Sequence, residues 1–152
     1  MSPVFQIPTE QKLLPIAQSL AKSLDHQKIV FLEGGLGAGK TTFIRYLLEA
    51  ISAQYKSPFE FQGSPTYQRE HIYNFAKLNI VHFDFYQVDA PLRMDLEDYI
   101  VDYCILVEWP FEELKKRYAH EAMFIKIIQD NKKRVIEMQS QNTQWLRQIN
   151  LI

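Results

Sequence analysis

The sequence predicts an α/β layered domain, and three observations carry that reading. Two short apolar runs, Ile29-Val30-Phe31-Leu32 and Cys104-Ile105-Leu106-Val107, suit strands buried on both faces. Segments of helical period lie between such runs. An early strand–loop–helix unit turns on glycines at 34, 35, 37 and 39. Strands and helices mixed in this order form sheets layered with helices.

Along the chain, Thr9 to Leu24 reads as a helix, because Leu13, Ile16, Ala17, Leu20 and Leu24 recur at helical spacing and Thr9 suits an N-cap. Pro15 removes one backbone bond and predicts a loose or kinked first turn. Lys28 to Leu32 is the first buried strand. A second helix runs from Lys40 to Ser52 on the stripe Phe43, Ile44, Leu47, Leu48 and Ile51. Ser57 to Pro65 is a loop. Tyr67–Tyr73 and Leu78–Tyr86 are two strands joined near Asn74–Lys77. Asp89 to Ile100 is a short acidic helix, Tyr103 to Glu108 a buried strand, and Phe111 to Tyr118 a helix. Met123–Ile128 and Arg134–Met138 form a hairpin around Asp130-Asn131-Lys132-Lys133, and the tail carries Trp145 on a final short helix.

The 152 residues amount to one domain spanning 1–152. Hydrophobic residues make up 47% and charged ones 23%, which excludes a disordered or fibrous chain. The net charge of −1 gives no general sign of nucleic-acid or membrane binding. It conceals an asymmetry, however: from Lys115 onward basic residues outnumber acidic ones by five. The one cysteine, Cys104, excludes a disulfide framework and reads as a buried small hydrophobe. No run approaches the roughly 18 apolar residues of a membrane span. No targeting segment is visible either, so the expected location is the cytoplasm.

The chemistry begins at Gly34-Gly35-Leu36-Gly37-Ala38-Gly39-Lys40-Thr41, which fits G-x-x-x-x-G-K-[ST] between an expected strand and an expected helix. Glycines let successive backbone N–H groups turn toward an anion, and the new helix points its unpaired N–H groups and positive dipole end at the same place. Lys40 is placed for β- and γ-phosphates, Thr41 for Mg²⁺, and Thr42 for the α-phosphate side. Such a loop needs a carboxylate at the end of a buried strand, and two fit: Asp84 after Ile80-Val81-His82-Phe83, and Glu108 after Ile105-Leu106-Val107. His82, Asp84 and Tyr86 alternate, so they share one strand face. Ser64-Pro65-Thr66-Tyr67 offers hydroxyls to sense a γ-phosphate or position water.

These pieces in this order resemble the TsaE (YjeE) family, bacterial ATPases required for threonylcarbamoyladenosine modification of tRNA. The resemblance rests on Leu32-Glu33-Gly34 running into Gly37 to Phe43, then Ser64-Pro65-Thr66-Tyr67, His82-Phe83-Asp84-Phe85-Tyr86 and Val107-Glu108-Trp109-Pro110. It covers about residues 7 to 138. It implies a P-loop NTPase-like fold in three layers, with a central parallel sheet extended by antiparallel strands and helices on both faces. It also implies ATP and Mg²⁺, with Gly37, Ala38, Gly39, Lys40, Thr41 and Thr42 around the phosphates and Thr41 and Glu108 on the metal. Asp84 is then the acid near the γ-phosphate, catalytic together with Lys40 and Thr66. Trp109 and Arg134 lie beside the nucleotide. The implied partners are TsaD and TsaB, with tRNA reached through their complex.

Three positions depart from the family pattern. Gly35 stands where Asp or Glu is usual, Gln87 where Arg is usual, and Phe111 where a Glu ends the E-W-x-E motif. They bear on hydrolysis more than on ATP binding. Two other readings compete: a P-loop small-molecule kinase, for which an Arg-rich lid is poorly supplied, and a non-hydrolysing ATP-dependent interaction module. A GTP switch fails, because a guanine-reading N-K-x-D starting at Asn131 meets Arg134 in place of Asp.

Overall fold

The computed structural model describes residues 3–65, 70–87, 96–131 and 133–149. Its frame is one seven-stranded sheet. The strands are β1 (Val4–Ile7), β2 (Ile29–Glu33), β3 (Glu70–Phe75), β4 (Leu78–Asp84), β5 (Cys104–Glu108), β6 (Met123–Asp130) and β7 (Lys133–Ser140). Their order across the sheet is β1-β7-β6-β2-β5-β4-β3. The four inner strands β6, β2, β5 and β4 are parallel. β3 extends one edge and β7 with β1 the other, all antiparallel. The sheet is therefore the expected one, a parallel centre with antiparallel flanks.

Alternation along β2 explains the layers. Val30 and Leu32 face a core shared with α1 (Leu13–Ala21) and α2 (Lys40–Tyr55), whereas Ile29 and Phe31 face a second core containing Leu96, Leu114 and Tyr118. Leu114 lies on α4 (Glu112–Arg117), which follows the short α3 (Glu97–Ile100) and covers the opposite face. Each fully buried Leu, Ile or Phe contributes about 1.5–3 kcal/mol, so strands apolar on both sides bind both helix layers. The tail helix α5 (Thr143–Gln148) closes the first core with Trp145, whose Nε1 donates to Ser23 Oγ at 2.8 Å. Cys104 is fully buried, and burial pushes its thiol up, as its reading as a small hydrophobe requires.

Several boundaries move. The first helix begins with a 3-10 turn over Glu10–Lys12, and α1 proper starts at Leu13. Pro15 then lies in the first helical turn, where a missing N–H costs little. The hairpin strands are longer than their apolar cores, and Asn131 takes the positive φ of 46° that a tight hairpin turn needs. Of the expected acidic helix only Glu97–Ile100 is seen, and residues 88–95 lie outside the described residues. β1 was not expected. Among the described residues no helix is long and apolar enough to cross a membrane.

Candidate functional site

The site forms where three parallel strands end side by side. β2 runs into the glycine loop, and Leu32 pairs in register with Glu108 on β5, which in turn pairs with Asp84 on β4. Two acids 24 positions apart in sequence thus stand next to one another beside the loop. Ligands of open parallel sheets bind outside these carboxyl ends.

The loop is shaped by its glycines. Gly34 has φ 154°, and a Cβ there would stand 2.5 Å from the Ile127 carbonyl oxygen of β6, so only glycine passes that strand. Gly39 caps α2 in the left-handed region at φ 115°, close against the Arg134 guanidinium. Ala38 N–H turns back to the Gly35 carbonyl at 3.2 Å. At Gly35 an added Cβ would meet no atom within 4 Å, so this departure from the family pattern answers no packing need.

Lys40 is 5% exposed. Its Nζ donates to the Gly34 and Gly35 carbonyls at 2.7 and 2.8 Å and lies 4.3 Å from the Trp109 ring centroid. Burial lowers its ammonium below the ordinary lysine range, partly offset by the charges of Glu108 and Asp84. Trp109 follows the end of β5 with a positive φ of 55°, and its N–H bonds the Leu32 carbonyl at 3.2 Å. Its ring also meets Tyr86 at 4.8 Å, forming an aromatic wall beside the lysine.

Glu108 is buried at 2% exposure, which rules out a strand-end charge facing water. Its Oε1 accepts from Thr41 Oγ1 at 3.1 Å. Its Oε2 accepts from Ser64 Oγ at 3.0 Å and contacts His82 Nε2 at 2.6 Å. Ser64 Oγ also lies 2.6 Å from Thr41 Oγ1; each hydroxyl has one proton, so with both turned to the carboxylate neither donates to the other. Burial works against ionisation of this carboxyl, but the His82 contact and the two hydroxyl bonds outweigh it and hold it below the usual carboxylate range. Asp84 differs. Burial pushes its carboxyl up, against the bond that its Oδ1 accepts from Tyr86 N–H at 3.0 Å. One acid is kept ionised and its neighbour is made more basic, a division often seen where two carboxylates serve different roles.

A cavity of about 310 Å³ opens over these groups. Of the residues expected from sequence, Gly37, Gly39, Lys40, Thr41, Thr42, Asp84, Glu108, Trp109 and Arg134 all line it. Ala38 is buried behind the loop. Thr66 lies outside the described residues. Lys40 and Arg134 are the cations among the described lining residues. Leu36, Ser64 and Tyr86 also line the cavity, and His82 stands behind Glu108. The signal for His82 was a polar residue on the Asp84 face of an apolar strand. The other two departures are absent from this lining: Gln87 is exposed, with its Nε2 donating to the Tyr86 hydroxyl at 3.4 Å. Phe111, partly buried, packs on Phe85 at 5.3 Å against the second core, and the adjacent Glu112 pairs with Lys115 at 2.8 Å.

The Thr41 hydroxyl and Glu108 carboxylate are hard oxygen donors side by side, which suits Mg²⁺, a cation that takes one or two protein oxygens and completes its shell with water and phosphate. The family model described as "Threonylcarbamoyl adenosine biosynthesis protein TsaE" matches residues 7–137. A tRNA threonylcarbamoyladenosine biosynthesis protein TsaE of Aquifex aeolicus is 30% identical over 127 residues, covering 84% of this chain and 89% of the relative. The protein of that name from Haemophilus influenzae is 35% identical over 112 residues, 68% of each chain. The crystal structure of the Bacillus protein YdiB superposes with a TM-score of 0.73 over 97% of this chain and 91% of that one, at 22% identity, and so shares the fold. Matched by the family model over most of its length, with curated relatives at these identities, the chain belongs to the TsaE family.

Proposed function

We propose that this protein binds ATP with Mg²⁺ and hydrolyses it, as the cytoplasmic ATPase of tRNA threonylcarbamoyladenosine biosynthesis acting with TsaD and TsaB. Family membership supports the pathway. The observation that carries the ATPase reading is the convergence of Lys40, Thr41, Asp84 and Glu108 in one cavity at the ends of β2, β5 and β4.

In this reading the N-terminus of α2 and the loop amides receive the phosphates, and Lys40 leaves its carbonyl partners to offset the β/γ charge. Thr41 and Glu108 hold Mg²⁺, which supplies charge neutralisation on the phosphate oxygens. Asp84, made more basic by burial, orients the attacking water and takes its proton. Trp109 and Tyr86 wall the phosphate end from solvent. The cavity supplies Lys40 and Arg134 among its described residues, and Arg134 stands against Gly39. A further cation for the transition state then comes from outside this described set, and a partner is one source, as arginines supplied in trans are elsewhere.

Glu108→Gln tests the metal assignment. The substitution keeps the shape and removes the charge, and a charged contact of this kind is worth about 1.5–3 kcal/mol. The gain in ATP affinity on adding Mg²⁺, measured by calorimetry, should shrink about tenfold or more while Mg²⁺-free affinity holds. An undiminished Mg²⁺ gain would remove Glu108 from the cation site.

A further inference from the structure

One polar side chain beside the site has no part in the chemistry above. His82 lies on β4 with 0% exposure, and among the described residues its buried Nδ1 has no hydrogen-bond partner. An unpaired buried nitrogen is costly, and an apolar side chain of similar size would avoid that cost. What the imidazole supplies in return is its other nitrogen, 2.6 Å from Glu108 Oε2. An ionised carboxylate only accepts, so the proton in this contact is on Nε2.

The bonds around Glu108 are unequal in a way that matters for a cation. Oε2 takes both His82 and Ser64, whereas Oε1 takes Thr41 alone, through the longest of the three contacts, 3.1 Å. One oxygen is anchored and the other is aimed at the hydroxyl with which it would share a metal. A glutamate's terminal torsion is broad and does not fix this orientation by itself. The anchors are fixed in turn. His71 pairs with His82 across β3 and β4, with ring centroids 6.4 Å apart. Its Nδ1 contacts the carbonyl of Gly63, next to Ser64, at 3.0 Å. The strand that carries one anchor and the loop that carries the other are thereby tied together.

We propose that His82 is a positioning residue for the cation site: its Nε2–H, with Ser64 beside it, pins Glu108 Oε2 so that Oε1 faces Thr41. This rests on the Mg²⁺ reading of Thr41 and Glu108. Partners that orient a metal ligand typically affect metal affinity by about 10–100-fold.

The test compares His82→Gln with His82→Asn. The glutamine amide nitrogen is as many bonds from Cα as imidazole Nε2, and the asparagine amide stops one bond short. ATP affinity is measured by calorimetry with and without Mg²⁺, together with the Mg²⁺ concentration giving half the effect. Mg²⁺-free affinity should stay within about twofold in both variants, which also reports a folded site. His82→Gln should keep the Mg²⁺ requirement within about threefold of the parent, and His82→Asn should raise it about tenfold or more. Ser64→Ala removes the second anchor from a loop outside the core and should raise the requirement in the same direction, so the proposal stays testable if His82→Asn does not fold. Equal Mg²⁺ requirements in His82→Asn, Ser64→Ala and the parent would overturn the proposal, as would equal losses in His82→Gln and His82→Asn. A parent protein whose ATP affinity ignores Mg²⁺ would instead overturn the metal reading beneath it.

Discussion

Asp84→Asn should lower turnover of bound ATP about a hundredfold or more while leaving ATP affinity nearly unchanged. A positioned general base contributes about 10²–10⁴-fold to rate, and a group that acts mainly in the transition state shows in kcat rather than in binding. Asparagine keeps the oxygen that accepts from Tyr86 N–H, so the end of β4 should hold its shape. The pH profile gives a second check. Asp84 must be ionised to act as a base, and burial places its ionisation above the ordinary aspartate range. Turnover should therefore rise with pH above that range in the parent protein, and this limb should be absent from the variant. The opposite outcome, weakened Mg²⁺-dependent binding with unchanged turnover per bound ATP, would exchange the roles of Asp84 and Glu108.

Lys40→Ala should weaken ATP binding by about tenfold to a hundredfold. A charge-assisted contact is worth about 1.5–3 kcal/mol, at about 1.4 kcal/mol per decade of affinity. Burial of the ammonium, where charge is less screened, favours the upper part of that range, and loss of its bonds to the Gly34 and Gly35 carbonyls on binding offsets part of the gain. Calorimetry on the purified variant reads the change directly, and an affinity equal to the parent's would sink the phosphate-loop assignment.

The parts of this molecule legible from sequence are those set by local pattern. β2 and β5 announce themselves because strands buried on both faces must be apolar throughout. The glycine loop is legible because only glycine meets the backbone demands at positions such as 34 and 39. β1 was not legible. It is four residues long, alternates exposed and buried, and takes its register from pairing Val4 to Ile7 with Glu137 to Arg134, more than a hundred positions away. The site divides in the same way. Asp84 and Glu108 each read as a strand-end acid, but parallel pairing of β4 and β5 alone makes them neighbours. Arg134 reaches Gly39 because β7 returns antiparallel to β6, which no local pattern encodes. Phe111, a lost glutamate when set against a motif, is a packing residue at the edge of the second core once Phe85 is seen beside it.

Phosphate release by the purified chain, alone and with the cognate TsaD–TsaB pair, tests the central claim most directly. The cavity gathers the residues proposed for phosphate and metal but, among its described residues, only Lys40 and Arg134 as cations, with Gln87 following Tyr86. Turnover by the lone chain should be slow, below about 1 s⁻¹, the low end of typical enzyme rates. The pair should raise it several-fold. Fast turnover by the lone chain, unaffected by the pair, would contradict the account and favour a self-sufficient ATPase or kinase.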